Sequence, residues 1–219
     1  MENGTRQPGA IVVVDYGMGN LRSVWQALAR VANGRAVIVS ADPEVVLAAE
    51  RVVFPGQGAM PDCMREVDDR GLRAAILDAA RNKPFLGICI GQQMLFEHSE
   101  EGDVPGLGIL PGRVRRFPAA AMVDPAGIRL KVPHMGWNEV WQQGDHPLWR
   151  GIADGARFYF VHSYFVEPDD AGCVAATTDY GIHFTSVVAR DNIFALQCHP
   201  EKSSPAGLVM LANFLAWKP

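Results

Sequence analysis

Cys89 stands at the centre of Gly87-Ile88-Cys89-Ile90-Gly91, directly after the apolar run Pro84 to Ile88. A nucleophile flanked at this spacing by glycines is the form of a strand-to-helix elbow, which lifts a reactive side chain above a sheet edge on a strained turn. Glycine has no Cβ, so neighbouring chain can approach such a turn closely. The segment Gly91 to His98 reads as the helix that follows. Its free N–H groups would face the thiol, favouring the thiolate and a developing oxyanion, with the Ile90 amide as the first donor. A buried structural cysteine beside packing glycines has the same local sequence, so partners elsewhere must decide.

Those partners stand in Gln197-Cys198-His199-Pro200-Glu201-Lys202-Ser203. A cysteine nucleophile needs an imidazole to take its proton and return it to a leaving amine. The imidazole needs a carboxylate to fix its tautomer and stabilise its charged form. In extended chain, residues two apart face the same way, so His199 and Glu201 share one side and Pro200 stiffens the link. The chain has six histidines. His134, His162 and His199 lie beside apolar or aromatic runs, but only His199 has an acid two residues on and follows a buried strand. A metal site fits less well. Cys198 and His199 are adjacent and cannot easily both ligate, and no second pair has zinc-like spacing. The expectation is a catalytic Cys89, His199 and Glu201 with no metal and no cofactor.

Phe54-Pro55-Gly56-Gln57-Gly58 ends another apolar run. Two glycines bracket Gln57, so its peptide can turn an N–H toward the thiol as the second oxyanion donor. Loss of one such donor typically raises a barrier by about 3 kcal/mol. The same glycines permit the opposite peptide orientation, which makes Gln57 a candidate gate. A plain strand-ending turn is the alternative reading.

The elements that must carry these groups alternate in the first half. Ala10 to Asp15, Ala36 to Val39, Arg51 to Phe54 and Pro84 to Ile88 read as buried strands. Leu21 to Val31 and Gly71 to Arg81 have the apolar spacing of helices. Such alternation implies a parallel sheet with right-handed crossovers, and reactive groups then collect beyond the carboxyl ends of the strands. In the second half Phe158 to Val166, Val174 to Thr177, Phe184 to Ala189 and Ile193 to Gln197 read as strands at hairpin-like intervals, an antiparallel extension. Leu208 to Trp217 reads as a closing helix. No repeat or linker divides the chain. One domain is expected over residues 10–219, after a polar leader over residues 1–9 that is loosely held and lacks the apolar stretch of a secretory signal.

Composition limits the function classes. A formal charge of −4 over 219 residues argues against a general nucleic-acid or membrane-surface binder. There is no apolar run of about 18 residues to span a bilayer. Four cysteines without a CxxC motif suit reduced thiols and a cytoplasmic protein.

The elbow Gly87 to Gly91, the loop Pro55 to Gly58 and the segment His199 to Glu201 together resemble the class I glutamine amidotransferases, over nearly the whole chain from about Ala10. The resemblance implies a flavodoxin-like α/β core, a mostly parallel sheet with helices on both faces, and a glutaminase with a Cys-His-Glu triad acting on L-glutamine. Asp15 to Asn20, Pro133 to Glu139, Phe160 to Tyr164 and His199 to Ser203 resemble a narrower branch. Its members pass ammonia to a separate (β/α)8-barrel cyclase subunit, as a heterodimer, in histidine biosynthesis. By position, Gly56, Gln57 and Ile90 would form the oxyanion region, with Gly58 beside them in the substrate site. Gln93 and Glu101 would hold the amide and amino ends of glutamine, and His162, Ser163 and Tyr164 would line its α-carboxylate. Asn20, Trp137 and Lys202 would face the partner. Gln57 stands where many relatives carry valine.

Three rival readings stay open on sequence grounds: a glutaminase serving another synthase, a different Cys-His hydrolase such as a peptidase, and a non-catalytic module that keeps the elbow for its shape.

Overall fold

The computed structural model describes residues 9–124, 126–203 and 205–219. Residues 1–8 of the expected leader lie outside them. Five strands form the parallel heart of the sheet, in the order β2 (Val37–Ser40), β1 (Ile11–Val14), β3 (Arg51–Gly56), β4 (Phe85–Cys89) and β13 (Ile193–Leu196). The β-branched run Ile11 to Val14 is buried at every position. That follows from the two-sided packing of a parallel sheet. Val12 and Val14 face one apolar core, with α2 (Pro43–Ala48), α3 (Met60–Asp69) and α4 (Arg73–Asn82). Ile11 and Val13 face another, with α1 (Leu21–Val31) and α6 (Ala206–Ala216). Helices therefore cover both faces, as expected.

Register places the chemistry. Gly56 pairs with Cys89 across β3 and β4, and Leu196 pairs with Ile88 across β13 and β4. The carboxyl ends of three neighbouring strands thus deliver the Gly56 loop, the Cys89 elbow and the Gln197 to Glu201 segment to one edge of the sheet.

Beyond β13 the sheet turns antiparallel. β12 (Ile182–Arg190) pairs with β13, then β10 (Tyr164–Pro168) with β12, and β7 (Leu110–Arg116) with β10. β11 (Val174–Tyr180) also pairs with β12 and carries β8 (His134–Gln142), which in turn carries β9 (Ala156–His162). The expected single strand Phe158 to Val166 is two. The chain leaves β9 at Ser163 and enters β10, because β9 belongs with β8 while β10 belongs with β7 and β12.

The helix expected over Gly91 to His98 is also corrected. Only α5 (Ile90–Gln93) is helical, and Phe96–Ser99 is strand β5, paired with β7 and with β6 (Val104–Pro105). Helix-forming residues lose here to tertiary pairing: Phe96 and Ser99 are fully buried, and the Leu95 carbonyl accepts from Ile109 and Leu110. A one-turn helix has far less dipole than the two-turn helix expected, so Cys89 owes less to it.

Gly91 shows why the elbow demands glycine. A Cβ there would lie 1.9 Å from the Phe54 carbonyl oxygen of β3. Gly91→Ala is expected to lower the free energy of unfolding by about 3 kcal/mol, read from urea denaturation. A loss under about 0.5 kcal/mol would contradict the tight contact between α5 and β3.

Candidate active site

Cys89 ends β4 at φ 56°, a left-handed conformation rare outside glycine, and is almost buried. This is the strained elbow expected from its flanking glycines. Cys89, Ile90, Gln57, Gly58, Gln93, Glu101, His162, Ser163, Tyr164, His199 and Lys202 line one cavity of about 380 Å³. That volume suits a small amino-acid-sized ligand. Pro133, Tyr159 and Val161 complete the wall without having been expected there. Gly56 lies behind the lining: a Cβ on it would lie 2.0 Å from both Ile90 Cγ2 and the Tyr16 hydroxyl. It packs closely beneath the Gln57 loop. Asn20 precedes α1 and lies outside this cavity, as does Trp137.

His199 follows β13 and leads into the 3-10 turn Pro200–Lys202. Its backbone is fixed on both sides, its N–H donating to the Tyr159 carbonyl and its own carbonyl accepting from the Ser203 hydroxyl. The ring Nδ1 meets Glu201 Oε1 at 2.8 Å, with both side chains buried. A carboxylate accepts, so Nδ1 carries a hydrogen and Nε2 is the atom free to exchange a proton. Burial acts to lower the His199 pKa; charge and hydrogen bonding from Cys89, then Glu201, outweigh it and raise it to about 10. Nε2 has no well-aligned hydrogen-bond partner among the described residues. Resting catalytic bonds are commonly loose and tighten with substrate, so the sulfur acts on the ring here chiefly through charge.

The Gln57 carbonyl accepts from the Cys63 thiol at 3.8 Å. Burial pushes that thiol up to about 11, so it stays a neutral donor. Gly58 takes φ 120°, a conformation that favours glycine at this turn. Ile90 opens α5, and its amide has no acceptor within the helix. Glu101 reaches the cavity while its Oε2 accepts from the Met60 amide at the start of α3.

His162 is less exposed to a ligand than expected. Its Nδ1 lies 2.8 Å from the Tyr164 carbonyl, and its Nε2 lies 3.0 Å from His134 Nδ1. A carbonyl can only accept, so His162 Nδ1 carries the hydrogen and Nε2 is the acceptor. His134 then donates from Nδ1, and its Nε2 accepts from the Asn138 amide at 3.3 Å. Every ring nitrogen is satisfied with both histidines neutral. Burial lowers the His134 pKa to about 4, and burial with the neighbouring His134 lowers His162 to about 3.

Sequence reasoning missed Gln197, although it shares the face of His199 and Glu201 at the same two-residue spacing. Its Nε2 lies 3.7 Å from the Cys89 sulfur.

The sequence profile described as glutamine amidotransferase class-I matches residues 12–217. The chain is 70% identical over 209 residues to a protein of Aromatoleum aromaticum described as imidazole glycerol phosphate synthase subunit HisH, spanning 95% of this chain and 99% of that one. A protein of Dechloromonas aromatica with the same description is 68% identical, spanning 95% and 97%. A solved structure described as glutamine amidotransferase is similar at TM-score 0.66 and 17% identity, spanning 92% of this chain and 98% of that one. At that identity the likeness speaks for the fold alone.

The neutral histidine pair sets a pH dependence. Both folded pKa values lie below the ordinary 6.5, so the unfolded chain binds protons first. The stability they confer is complete above about pH 6.5 and is lost as pH falls toward 4. One such histidine is expected to remove on the order of 2 kcal/mol between pH 7 and pH 5. Urea denaturation at the two pH values measures this, and His134→Gln should flatten the slope.

Proposed function

The chain belongs to the glutamine amidotransferase class-I family, and on that premise we propose that Cys89 opens the side-chain amide of L-glutamine, with His199 as acid and base and Glu201 as its orienter. The chain is a glutaminase subunit of imidazole glycerol phosphate synthase and acts in histidine biosynthesis. The observation that carries the catalytic assignment is the buried His199–Glu201 contact at 2.8 Å, with His199 lining the same cavity as a Cys89 held on a left-handed turn.

The reaction runs in two halves. The Cys89 thiolate attacks the amide carbon, and the negative oxygen that forms is met by the Ile90 and Gln57 amides. His199 Nε2 gives its proton to the departing nitrogen, ammonia leaves, and a γ-glutamyl thioester remains on Cys89. Neutral His199 then takes a proton from water, whose oxygen attacks the thioester carbon and releases glutamate and the thiolate. Gln93 Oε1 is buried and unpartnered at the cavity, which suits it to accept from a substrate N–H. Glu101 faces the amino end, and Ser163 and Tyr164 the α-carboxylate. His162 has both ring nitrogens engaged, so it supports that wall by holding Tyr164.

As a synthase subunit the chain works with a further subunit, for which we assign a (β/α)8-barrel cyclase in a heterodimer. There ammonia would react with a phosphoribulosyl formimino carboxamide ribonucleotide. Free in water, ammonia would be protonated and lose its nucleophilicity, so the two sites must share a closed path. Met135 and Trp137, on the strand β8, stand 62% and 46% exposed and supply an apolar face for that subunit. Asn20 and Lys202 flank the path, and Lys202 rests over the Tyr159 ring at 5.5 Å. The Gln57 peptide is the gate we assign, tested by glutaminase rates with and without the cyclase's ligand; equal rates would count against it. No helix among the described residues is long and apolar enough to cross a membrane.

Cys89→Ala in the complex is expected to reduce glutamine-dependent synthesis at least ~10³-fold while ammonia-dependent synthesis persists. Glutamate release and product formation from each nitrogen source check this. Retention of glutamine-dependent synthesis would exclude Cys89 as the nucleophile.

A further inference from the structure

We propose that Gln197 is a positioning residue for the nucleophile: its amide N–H donates to the Cys89 sulfur and holds it as an acceptor, and Gln93 locks that amide in the required orientation. The inference rests on the glutaminase reading of the same site.

The orientation follows from the hydrogen-bond partners alone. The Tyr164 carbonyl can only accept, so the group 3.1 Å from it on Gln93 is the amide nitrogen. That nitrogen has a second hydrogen, and it lies 2.8 Å from the terminal amide of Gln197. The Gln197 atom facing it must be oxygen. The other half of the Gln197 amide, the NH2, is then left facing Cys89 Sγ at 3.7 Å. An N–H cannot accept, so the sulfur on that side must act as an acceptor. A thiolate accepts far better than a thiol, so the contact favours the nucleophilic form.

The surroundings leave Gln197 little freedom. It is fully buried, and its backbone N–H donates to the Ser186 carbonyl. The Tyr164 carbonyl that orients Gln93 is itself fixed by His162, then His134, then Asn138 on β8. Asn138 is oriented in turn by the Asp179 carbonyl and the Glu139 amide. Each link has one possible donor and one possible acceptor, so the last amide cannot turn without breaking the links before it.

The test is the pH profile of Cys89 alkylation by iodoacetamide on the full chain, followed by mass spectrometry of the Cys89 peptide. The variants are Gln197→Glu and Gln197→Met. Gln197→Glu keeps the size of the side chain and an acceptor for Gln93 but presents no N–H to the sulfur. At pH 7 alkylation is expected to slow about tenfold in both variants, corresponding to one pH unit, and to rejoin the wild-type rate at high pH. A profile unchanged from wild type, or a fall of equal size at every pH, would overturn the proposal, since a merely structural role does not shift the curve. Should Gln197→Met fail to fold, the isosteric Gln197→Glu carries the same two outcomes. Alkylation needs no glutamine turnover. Glutamine hydrolysis surviving in Cys89→Ala would therefore defeat the assignment of Cys89 as the glutaminase nucleophile while leaving the Gln197 result to be judged separately.

Discussion

One imidazole must meet a sulfur on one side and a carboxylate on the other, out of water, and the rest of the structure is arranged around that requirement. A buried ion pair is costly to desolvate, and removing one partner typically costs about 3–5 kcal/mol because the other is left charged and unpaired. The segment that carries His199 is correspondingly rigid. Its backbone bonds to Tyr159, and Ser203 bridges it by accepting from the Tyr159 amide and donating to the His199 carbonyl. Helix α6 closes in behind, so tightly that a Cβ on Gly207 would lie 1.9 Å from the Pro200 carbonyl oxygen. The His199 ring is thus held in place by its backbone.

The sheet explains how residues more than a hundred positions apart meet. Parallel strands share one direction, so β3, β4 and β13 end together, and each releases a different part of the candidate site at that edge. The antiparallel extension supplies the opposite wall. There the switch at Ser163, from β9 to β10, turns the Tyr164 carbonyl toward Gln93. The same wall continues through the neutral His162–His134 pair to Asn138, beside the exposed Met135 and Trp137. The exposed apolar face of β8 and the amide at the sulfur are therefore joined by a continuous set of directional bonds. This contiguity is a physical route for coupling, and a second arrangement of its links is what a switch along it would require.

Much of this was legible in the sequence where one local rule governed. The run Ile11 to Val14 is a strand because β-branched residues buried on both sides leave few alternatives, and Leu21 to Val31 is a helix over the span its apolar spacing gave. The elbow and the His-x-Glu spacing were readable because each chemical role needs a particular residue type at a fixed offset. Reading failed where tertiary pairing decides. Phe96 to Ser99 carries helix-tolerant residues and becomes a strand through β6 and β7. The nine-residue strand β8 went unread, since its burial alternates irregularly, Gly136 interrupts its apolar pattern and Pro133 stands just before it. The short helix α2 and the helix α3 were also missed, each opening on a proline-containing turn. Gln197 was overlooked for a different reason: an amide's role depends on which end faces the sulfur, and only its partner Gln93 on α5 and, through it, the Tyr164 carbonyl on β10 settle that.

The central claim is that glutamine nitrogen leaves through a covalent bond to one sulfur. Rapid acid quench of the complex during glutamine turnover, followed by mass spectrometry of the cysteine peptides, tests it directly. The account predicts a γ-glutamyl adduct on Cys89 and on none of Cys63, Cys173 or Cys198. Steady glutamine hydrolysis with an adduct on another cysteine, or with Cys89 unmodified under conditions that slow thioester hydrolysis, would contradict it.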